Sequence, residues 1–286
     1  MPGVSQLKVH LNGQLVDADD ARISVFDVGF LHGGSTFTTM LAHKGVVFRL
    51  GRHLERLLET VDLLGIRTSA TDASLTAAIG DVIRANGVAE ARLRVTLSPG
   101  MSTGGEPTVL VTAEPLPEYP SQWYTEGIMV VVSSFKQNVG DPTFGYKTGC
   151  YFPRVLARQE AQRKGAEEAI WFTADKRLAE ACFCNVFLVA GGAVRTPPRD
   201  TPVLPGVVRQ ATIELCETLE IDCDAESPLT VHDMLSAQEM FLTSSTMGIR
   251  PVVHIEQHAV GEGVPGPVTQ RLMDAYWALL DEECTG

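Results

Sequence analysis

The sequence predicts an α+β protein with two domains. Three observations lead to this prediction: the chain has 286 residues, segments with a two-residue apolar period mix irregularly with segments of helical period, and a proline-rich stretch interrupts them. A chain of this length seldom fits one small core, so one large or two modest domains are expected. An irregular mixture of strands and helices is typical of the α+β class.

Strand patterns open the chain. The turn residues Asn12 and Gly13 lie between two short alternating segments and predict a β-hairpin. Residues 21–30 (ARISVFDVGF) alternate in the same way and are predicted to form a strand. Further strands are predicted within residues 35–50, 91–100 and 106–116.

Two helices are predicted in the first third of the chain. In residues 50–65 the apolar side chains recur at intervals of three and four, and Gly65 ends the segment as a helix C-cap would. A second helix is predicted from Asp72 to Asn86, followed by Gly87.

The stretch from Glu114 to Tyr124 (EPLPEYPSQWY) has three prolines and is predicted to be a linker. We therefore predict an N-terminal domain of residues 1–119 and a C-terminal domain of residues 120–286. Helices in the second domain are predicted at residues 151–164, 204–220 and about 267–283, and strands at residues 127–135, 167–173, 178–191, 193–197, 239–245 and 249–256.

Charge and composition exclude several classes of function. The net charge is −12, from 35 acidic and 23 basic residues, so neither nucleic acid nor an anionic membrane surface is an expected partner. No signal peptide and no apolar run of membrane-spanning length is recognised. Motifs for nucleotide-dependent and zinc-dependent chemistry are absent. The six cysteines form no CxxC pair, so reduced thiols and a cytoplasmic location are expected, with Cys182 and Cys184 buried on one face of an extended segment.

Three separated blocks carry a family resemblance. They are residues 23–57, residues 145–189, and residues 201–210 followed by EMFLTSSTMGIRPVVHIE and GPVTQRL. In this order and spacing the chain resembles the class IV aminotransferases, which include branched-chain and D-amino-acid aminotransferases, (R)-selective amine transaminases and aminodeoxychorismate lyase. The resemblance implies fold type IV: a small N-terminal α/β domain, a larger barrel-like C-terminal α/β domain, pyridoxal 5'-phosphate held between them, and a homodimer.

The resemblance assigns the chemistry to two residues. Lys147, in the sequence GYKTG, matches the lysine that holds the cofactor as a Schiff base, and its amine can also move a proton as general base and acid. Glu180 matches the glutamate that pairs with the pyridine nitrogen and keeps the ring protonated. A carboxylate beside the apolar run 181–189 also needs a partner, whatever its role.

Phosphate binding is assigned to three further segments. Arg56 matches the phosphate-binding arginine, although its neighbours would also suit a solvated helix face. Val207 and Val208 follow Pro205-Gly206 at a predicted helix start, where backbone amides can donate to an anion. Ser244 and Ser245 match a second phosphate-binding loop.

Phe37, Thr38 and Arg94 are the candidate substrate-binding residues. Phe37 and Thr38 occupy the position of an aromatic–Glu or aromatic–Thr pair beside the cofactor, and Thr38 departs from the glutamate of many branched-chain enzymes. Arg94 matches a cationic position that meets a substrate carboxylate in some members. An outward-facing arginine on an alternating strand fits the sequence equally well.

Two activities are consistent with these residues. The first is transamination between an amino acid or amine and a 2-oxo acid, which requires the proton shift at Lys147 and the charge of Glu180. The alternative is an aminodeoxychorismate lyase, which releases pyruvate and 4-aminobenzoate, because Phe37-Thr38-Thr39 also occurs in that enzyme. We favour transamination, with an amino donor and a 2-oxo acid as the small-molecule substrates.

Overall fold

The computed structural model describes residues 7–285, which divide into two units. The first unit contains the chain up to Pro117, the short segment Tyr146–Cys150 and the residues from Leu280 onward. The second contains Glu118–Gly145 and Tyr151–Leu279. The main segment of the first unit thus ends close to the boundary predicted after residue 119, and two later segments return to it.

An antiparallel sheet forms the centre of the first unit. Its strands, in the part of the chain described, are β1 (Lys8–Leu11), β2 (Gln14–Asp17), β3 (Thr36–His43), β4 (Val46–Val47), β5 (Ala91–Ser98) and β6 (Thr108–Pro115). Their order is β2-β1-β6-β5-β3-β4, and every pairing is antiparallel. Asn12 and Gly13 form the predicted hairpin turn, both at positive φ.

Helices α1 (Val28–His32), α2 (Leu50–Leu63) and α3 (Asp72–Asn86) belong to this unit. The apolar faces of α2 and α3 supply Leu54, Leu57, Leu75 and Ile79 to a core shared with the sheet. Helix α3 begins at a capping box in which Thr71 and Ser74 bond each other's backbone, and it ends at Gly87 in the left-handed conformation.

The predicted strand at residues 21–30 is wrong. Asp27 instead caps the short helix α1, accepting a hydrogen bond from Gly29 N at 2.7 Å. The same carboxylate accepts from the hydroxyl groups of Ser98 and Thr108 on β5 and β6. Burial raises the pKa of Asp27, but these hydrogen bonds outweigh it and hold the pKa below its usual value. Contacts distant in sequence therefore override the local alternation.

Charged pairs join the end of the chain to the rest of the first unit. Arg49 binds Glu283 through Nε and Nη2, at 3.1 and 2.9 Å. His43 lies between two carboxylates, with Nδ1 2.9 Å from Glu90 and Nε2 3.0 Å from Asp281. Lys44 also contacts Asp281.

We expect the His43→Gln substitution to destabilise the protein at pH 6 but hardly at pH 8.5. Burial lowers the pKa of His43, but the hydrogen bonds to Asp281 and Glu90 outweigh it and raise the pKa above 6.5. A raised folded-state pKa means that the stabilisation is complete below the unfolded value and is lost as pH rises through the folded value. Both carboxylates are largely exposed, so the loss should be below about 1 kcal/mol.

Urea unfolding at the two pH values, followed by circular dichroism, measures this effect. His232→Gln, on an exposed part of the second unit, is the matched control. An equal loss of stability at both pH values in His43→Gln would contradict the assignment.

The second unit is built on a larger mixed sheet. Its strands among the described residues are β7 (Ile128–Gln137), β8 (Glu168–Thr173), β9 (Leu178–Ala181), β10 (Asn185–Ala190), β11 (Ala193–Arg195), β12 (Cys223–Asp224), β13 (Glu239–Ser244), β14 (Gly248–Ile255) and β15 (His258–Ala259). The order is β12-β11-β10-β13-β14-β7-β8-β9, with β15 paired to β14. The pairs β11–β12, β14–β7 and β7–β8 are parallel.

This sheet must curl. Only residues 182–184 separate β9 from β10, although β13, β14, β7 and β8 lie between them in the strand order. In a flat sheet the two strands would be roughly 24 Å apart, because neighbouring strands are about 4.8 Å apart. The short link reaches no further than about 14 Å. The barrel-like shape implied by the resemblance is therefore confirmed.

The helices of this unit are α4 (Gln122–Thr125), α5 (Phe152–Arg163), α6 (Val207–Thr218), α7 (Val231–Ser236) and α8 (Pro267–Glu283), the last of which continues into residues 280–283 of the first unit. Helices α5, α6 and α8 lie where the sequence predicted them. Within residues 7–285, no helix is both long and apolar enough to cross a membrane.

Cys182 and Cys184 are buried, as predicted, but they do not share a face. Residues 182–184 form a bend instead of continuing a strand. Cys182 packs under α5, where Trp171 Nε1 donates to its Sγ at 3.4 Å. Cys184 joins the apolar cluster of the barrel strands. The bend is what allows the sheet to turn from β9 into β10.

Candidate active site

The segment that carries Lys147 is fixed by its backbone. In the first unit, Phe37 N and the Thr36 hydroxyl both donate to Lys147 O, at 2.9 and 2.8 Å. Gly149 N donates to Ser35 O at 2.8 Å. A Cβ on Gly149 would lie 2.6 Å from Gly33 O, so this close approach requires glycine. The lysine is therefore presented from a rigid segment.

The Phe37 ring lies near the Lys147 amine and near the Arg94 guanidinium. Lys147 Nζ is 5.2 Å from the centroid of the Phe37 ring, and Arg94 Cζ is 3.6 Å from the same centroid. Arg94 Nε donates to the Thr96 hydroxyl at 3.0 Å. The guanidinium is largely exposed but stacks on the aromatic ring. The structure thus brings together Lys147 and two of the three predicted substrate-binding residues.

Thr38 faces the other side of β3, toward α2. Its hydroxyl is fully buried, accepts from Arg56 Nη2 at 3.1 Å and lies 3.0 Å from His53 Nδ1. Arg56 is half-buried, so the alternative of a fully solvated helix face does not describe it. Thr38 contacts the predicted phosphate-binding arginine, whereas the sequence suggested a contact with substrate.

Glu180 is held in a buried hydrogen-bond network of the second unit. Its Oε1 accepts from Arg154 Nη2 at 2.5 Å and from Gln137 Nε2 at 3.2 Å, and its Oε2 accepts from Leu204 N at 3.0 Å. The side chains of Glu180 and Arg154 are only 5% and 8% exposed. Three donors leave one acceptor position on Oε2, which can accept a further hydrogen bond.

Burial lowers the pKa of Arg154, but the charge of Glu180 outweighs it and raises the pKa. The arginine is therefore charged at every physiological pH, and it also donates to Ala181 O and Cys182 O. These bonds fix the carboxylate at the end of β9. Sequence reasoning predicted a partner for Glu180 but did not find Arg154 or Gln137.

Helix α6 begins after Gly206, which has no side chain to cap the first backbone amides. Val207 and Val208 are its first residues. The first amides of a helix have no acceptor within it and attract anions. A Cβ on Gly206 would lie 2.1 Å from Asn185 Oδ1, so the Asn185 side chain would have to move to admit a larger residue. The predicted arrangement of a glycine-led helix start is present.

Ser244 and Ser245 lie where β13 turns into β14. Ser244 Oγ is buried, and the Ser244 side chain hydrogen-bonds the Cys184 thiol. Aromatic hydroxyls hold the same turn: Tyr119 donates to Thr246 Oγ1 at 3.2 Å, and Tyr124 donates to Met247 O at 3.1 Å. Burial raises the pKa of Tyr124 to about 12, which keeps this hydroxyl protonated. Hydroxyl groups on a fixed turn suit an oxyanion ligand.

The donor set of the chain fits pyridoxal phosphate. A lysine amine can bond its aldehyde, a buried carboxylate can pair with its ring nitrogen, and a guanidinium, the first amides of a helix and two serine hydroxyls suit its phosphate. These are the groups of an enzyme that transfers amino groups.

Comparison with known proteins identifies the family. The chain belongs to the amino-transferase class IV family, whose model matches residues 35–255. It is an aminotransferase of that class, and the predicted family and activity are confirmed.

Individual relatives support the same conclusion. The branched-chain-amino-acid aminotransferase of Salmonella typhimurium is 31% identical over 293 residues, which cover 96% of this chain and 93% of that protein. The crystal structure of the Escherichia coli branched-chain amino acid aminotransferase has a TM-score of 0.92 at 29% identity, covering 97% of this chain and 96% of that one. The aminodeoxychorismate lyase of Bacillus subtilis is 29% identical over 277 residues, which cover 94% of this chain and 93% of that protein. The predicted α+β fold of type IV is confirmed.

Proposed function

We propose that the chain transfers an amino group from an amino acid or amine to a 2-oxo acid, with pyridoxal 5'-phosphate bound covalently to Lys147. Arg56, the amides of Val207 and Val208, and the hydroxyls of Ser244 and Ser245 bind the phosphate. Glu180 accepts a hydrogen bond from the ring nitrogen. The observation that carries the proposal is that hydrogen bonds from Thr36 and Phe37 hold the Lys147 backbone, with the Lys147 amine near the Phe37 ring.

When bound, the cofactor supplies an electron sink for the carbanion that forms at the substrate Cα. Once the substrate amine has displaced it from the cofactor, Lys147 Nζ would take the Cα proton of the donor and deliver it to the cofactor carbon that bears the nitrogen. In the second half of the reaction it would move a proton in the opposite direction, to the Cα of the 2-oxo acid. Phe37 packs beside the amine and excludes water from it. Arg154, through Glu180, keeps a charged acceptor at a fixed position, which the ring nitrogen needs.

Absorption spectra test the proposed activity. A visible band from the lysine-bound cofactor should be bleached by D-alanine, L-leucine or (R)-1-phenylethylamine, and a 2-oxo acid should restore it. The donor that bleaches the band identifies the substrate class. If no amine bleaches it while aminodeoxychorismate is converted to 4-aminobenzoate, the lyase alternative replaces transamination.

We propose that Arg94 binds a carboxylate of the substrate. The guanidinium is held over the Phe37 ring, which also lies 5.2 Å from Lys147 Nζ, and Arg94 is exposed. Arg94→Leu should lower kcat/KM for amino-acid donors by about 10- to 100-fold, the value of a charged hydrogen bond. The rate with (R)-1-phenylethylamine, which has no carboxylate, should change little.

Steady-state kinetics with both donor types measure this selectivity. Arg84→Leu removes a surface arginine paired with Asp81 and serves as the control. An equal loss of kcat/KM for donors with and without a carboxylate would show that Arg94 acts only by packing on Phe37.

A homodimer and a cytoplasmic location complete the proposal. Val25, Phe26, Phe30 and Leu31 form an exposed apolar patch around α1, each at least half exposed, and such a patch favours burial against a second copy. Sedimentation at micromolar concentration should give twice the mass of the chain, and Phe26→Ser with Phe30→Ser should give one chain mass. A monomeric wild-type protein would contradict the dimer. All six cysteines are free thiols, which supports a reducing compartment.

A further inference from the structure

A buried hydrogen-bond relay in the first unit ends at His53. It joins α2 to β3: Arg56 Nη2 donates to Thr38 Oγ1 at 3.1 Å, and Thr38 Oγ1 lies 3.0 Å from His53 Nδ1. Arg56 Nη2 is itself 3.5 Å from the same ring nitrogen. His53 is 1% exposed and Thr38 0% exposed, so water does not compete for these bonds.

The donors of the relay determine the protonation of His53. A guanidinium can only donate, and Arg56 Nη2 lies 3.5 Å from His53 Nδ1, so a proton on Nδ1 would face this positively charged donor. The Thr38 hydroxyl accepts from Arg56 and has its own hydrogen available for Nδ1. Nδ1 must therefore offer a lone pair, and the neutral ring has its proton on Nε2. Burial, together with the positive charges of Arg56 and Lys147, holds the pKa of His53 well below 6.5. The imidazole is thus a constant acceptor at neutral pH.

A neutral acceptor suits this position. An arginine has many rotamers, and ordering it when a ligand arrives weakens binding. A carboxylate at this position would also order Arg56, but it would neutralise the positive charge that a phosphate requires. A buried neutral imidazole orders the guanidinium and leaves its charge intact.

We propose that His53 is a positioning residue that orders the phosphate-binding Arg56 through the Thr38 hydroxyl. The inference rests on the proposed function, in which Arg56 binds the cofactor phosphate. It assigns Thr38 to cofactor binding by way of Arg56 and gives a role to a histidine that the proposed reaction does not use.

The test separates phosphate binding from all other contacts of the cofactor. Dissociation constants of the cofactor-free protein are measured for pyridoxamine 5'-phosphate and for pyridoxamine. The ratio of the pyridoxamine constant to the pyridoxamine 5'-phosphate constant reports the contribution of the phosphate alone. His53→Leu and Thr38→Val should each lower this ratio about tenfold, as expected for a lost buried hydrogen bond. His53→Asn, whose Oδ1 replaces the Nδ1 acceptor, should stay within about twofold of the wild type, a change too small to signal a lost bond.

Controls distinguish the possible failures. His232→Asn, on exposed helix α7, should leave the ratio unchanged. If Arg56→Gln leaves the ratio unchanged, Arg56 does not bind phosphate, and that part of the proposed function fails together with the inference. If Arg56→Gln lowers the ratio but His53→Leu and Thr38→Val do not, only the inference is overturned. If His53→Leu weakens the binding of pyridoxamine 5'-phosphate and of pyridoxamine equally, the inference is also overturned, because a purely structural role predicts that result.

Two further measurements keep the test decisive if His53→Leu does not fold. His53→Gln places its amide beyond the Nδ1 position and should lower the ratio, in contrast to His53→Asn. Nitrogen-15 spectra of the wild-type protein should show an unprotonated Nδ1 and a protonated Nε2 for His53. A protonated Nδ1 would overturn the proposal that His53 accepts a hydrogen bond from Thr38, and this result would not depend on any cofactor.

Discussion

Lys147→Ala is expected to abolish the visible absorption band of the bound cofactor and to lower kcat for transamination by about a thousandfold or more. The band requires the covalent bond to Nζ, and general acid–base catalysis by one side chain contributes on this scale. Absorption spectra and single-turnover rates measure both effects. Added ethylamine should restore part of the rate, because a free amine can replace the missing base.

The matched control is Lys176→Ala, an exposed lysine in the turn between β8 and β9. It should keep the band and the rate. A band that persists in Lys147→Ala would mean that another lysine binds the cofactor, and it would contradict the assignment of the site as a whole.

Arg154→Met is expected to lower the free energy of unfolding of the second unit by about 3–5 kcal/mol. The substitution would leave the Glu180 carboxylate buried with two neutral donors and no positive partner. The double substitution Arg154→Met with Glu180→Gln should recover part of the loss, since no unpaired charge remains.

Tryptophan fluorescence during urea unfolding of the cofactor-free protein reports this effect, because Trp123, Trp171 and Trp277 all lie in the second unit. Arg163→Met removes an exposed arginine from the same helix and should change stability by less than about 0.5 kcal/mol. A loss in Arg154→Met as small as in this control would show that the pair with Glu180 contributes little.

Sequence patterns within a few residues predict those helices and strands that are stabilised by interactions between neighbouring residues. The helix Asp72–Asn86 has both its predicted ends, and the structure shows that Thr71 caps its first turn and Gly87 ends it. The predicted strand at residues 21–30 failed because Asp27 finds its partners on two distant strands. No pattern within ten residues carries that information.

Some residues of the candidate site could be predicted from the sequence, and others could be found only from the fold. The resemblance placed Lys147, Arg94 and Phe37, and the structure brings their side chains together. Arg154 was missed because Arg154, Arg158 and Arg163 are indistinguishable in sequence. Only the fold shows that the first of them faces Glu180. His53 was missed for a similar reason, since an apolar helix face gives no sign that its histidine accepts from Thr38.

The parallel pairing of β7 with β14 has a consequence for synthesis of the chain. Ile128 on β7 pairs with Val252 on β14, in the middle of the strand order. Because β14 is synthesised long after β7, β8 and β9, the sheet cannot be completed until β14 has left the ribosome. Until then the apolar side chains of β7 and β8, such as Val130 and Ile170, cannot be buried in the core of the barrel. Contacts so distant in sequence slow folding and expose nascent chains to aggregation. The second unit is therefore expected to fold after translation is nearly complete, and its yield in cells should depend on chaperones that shield these strands.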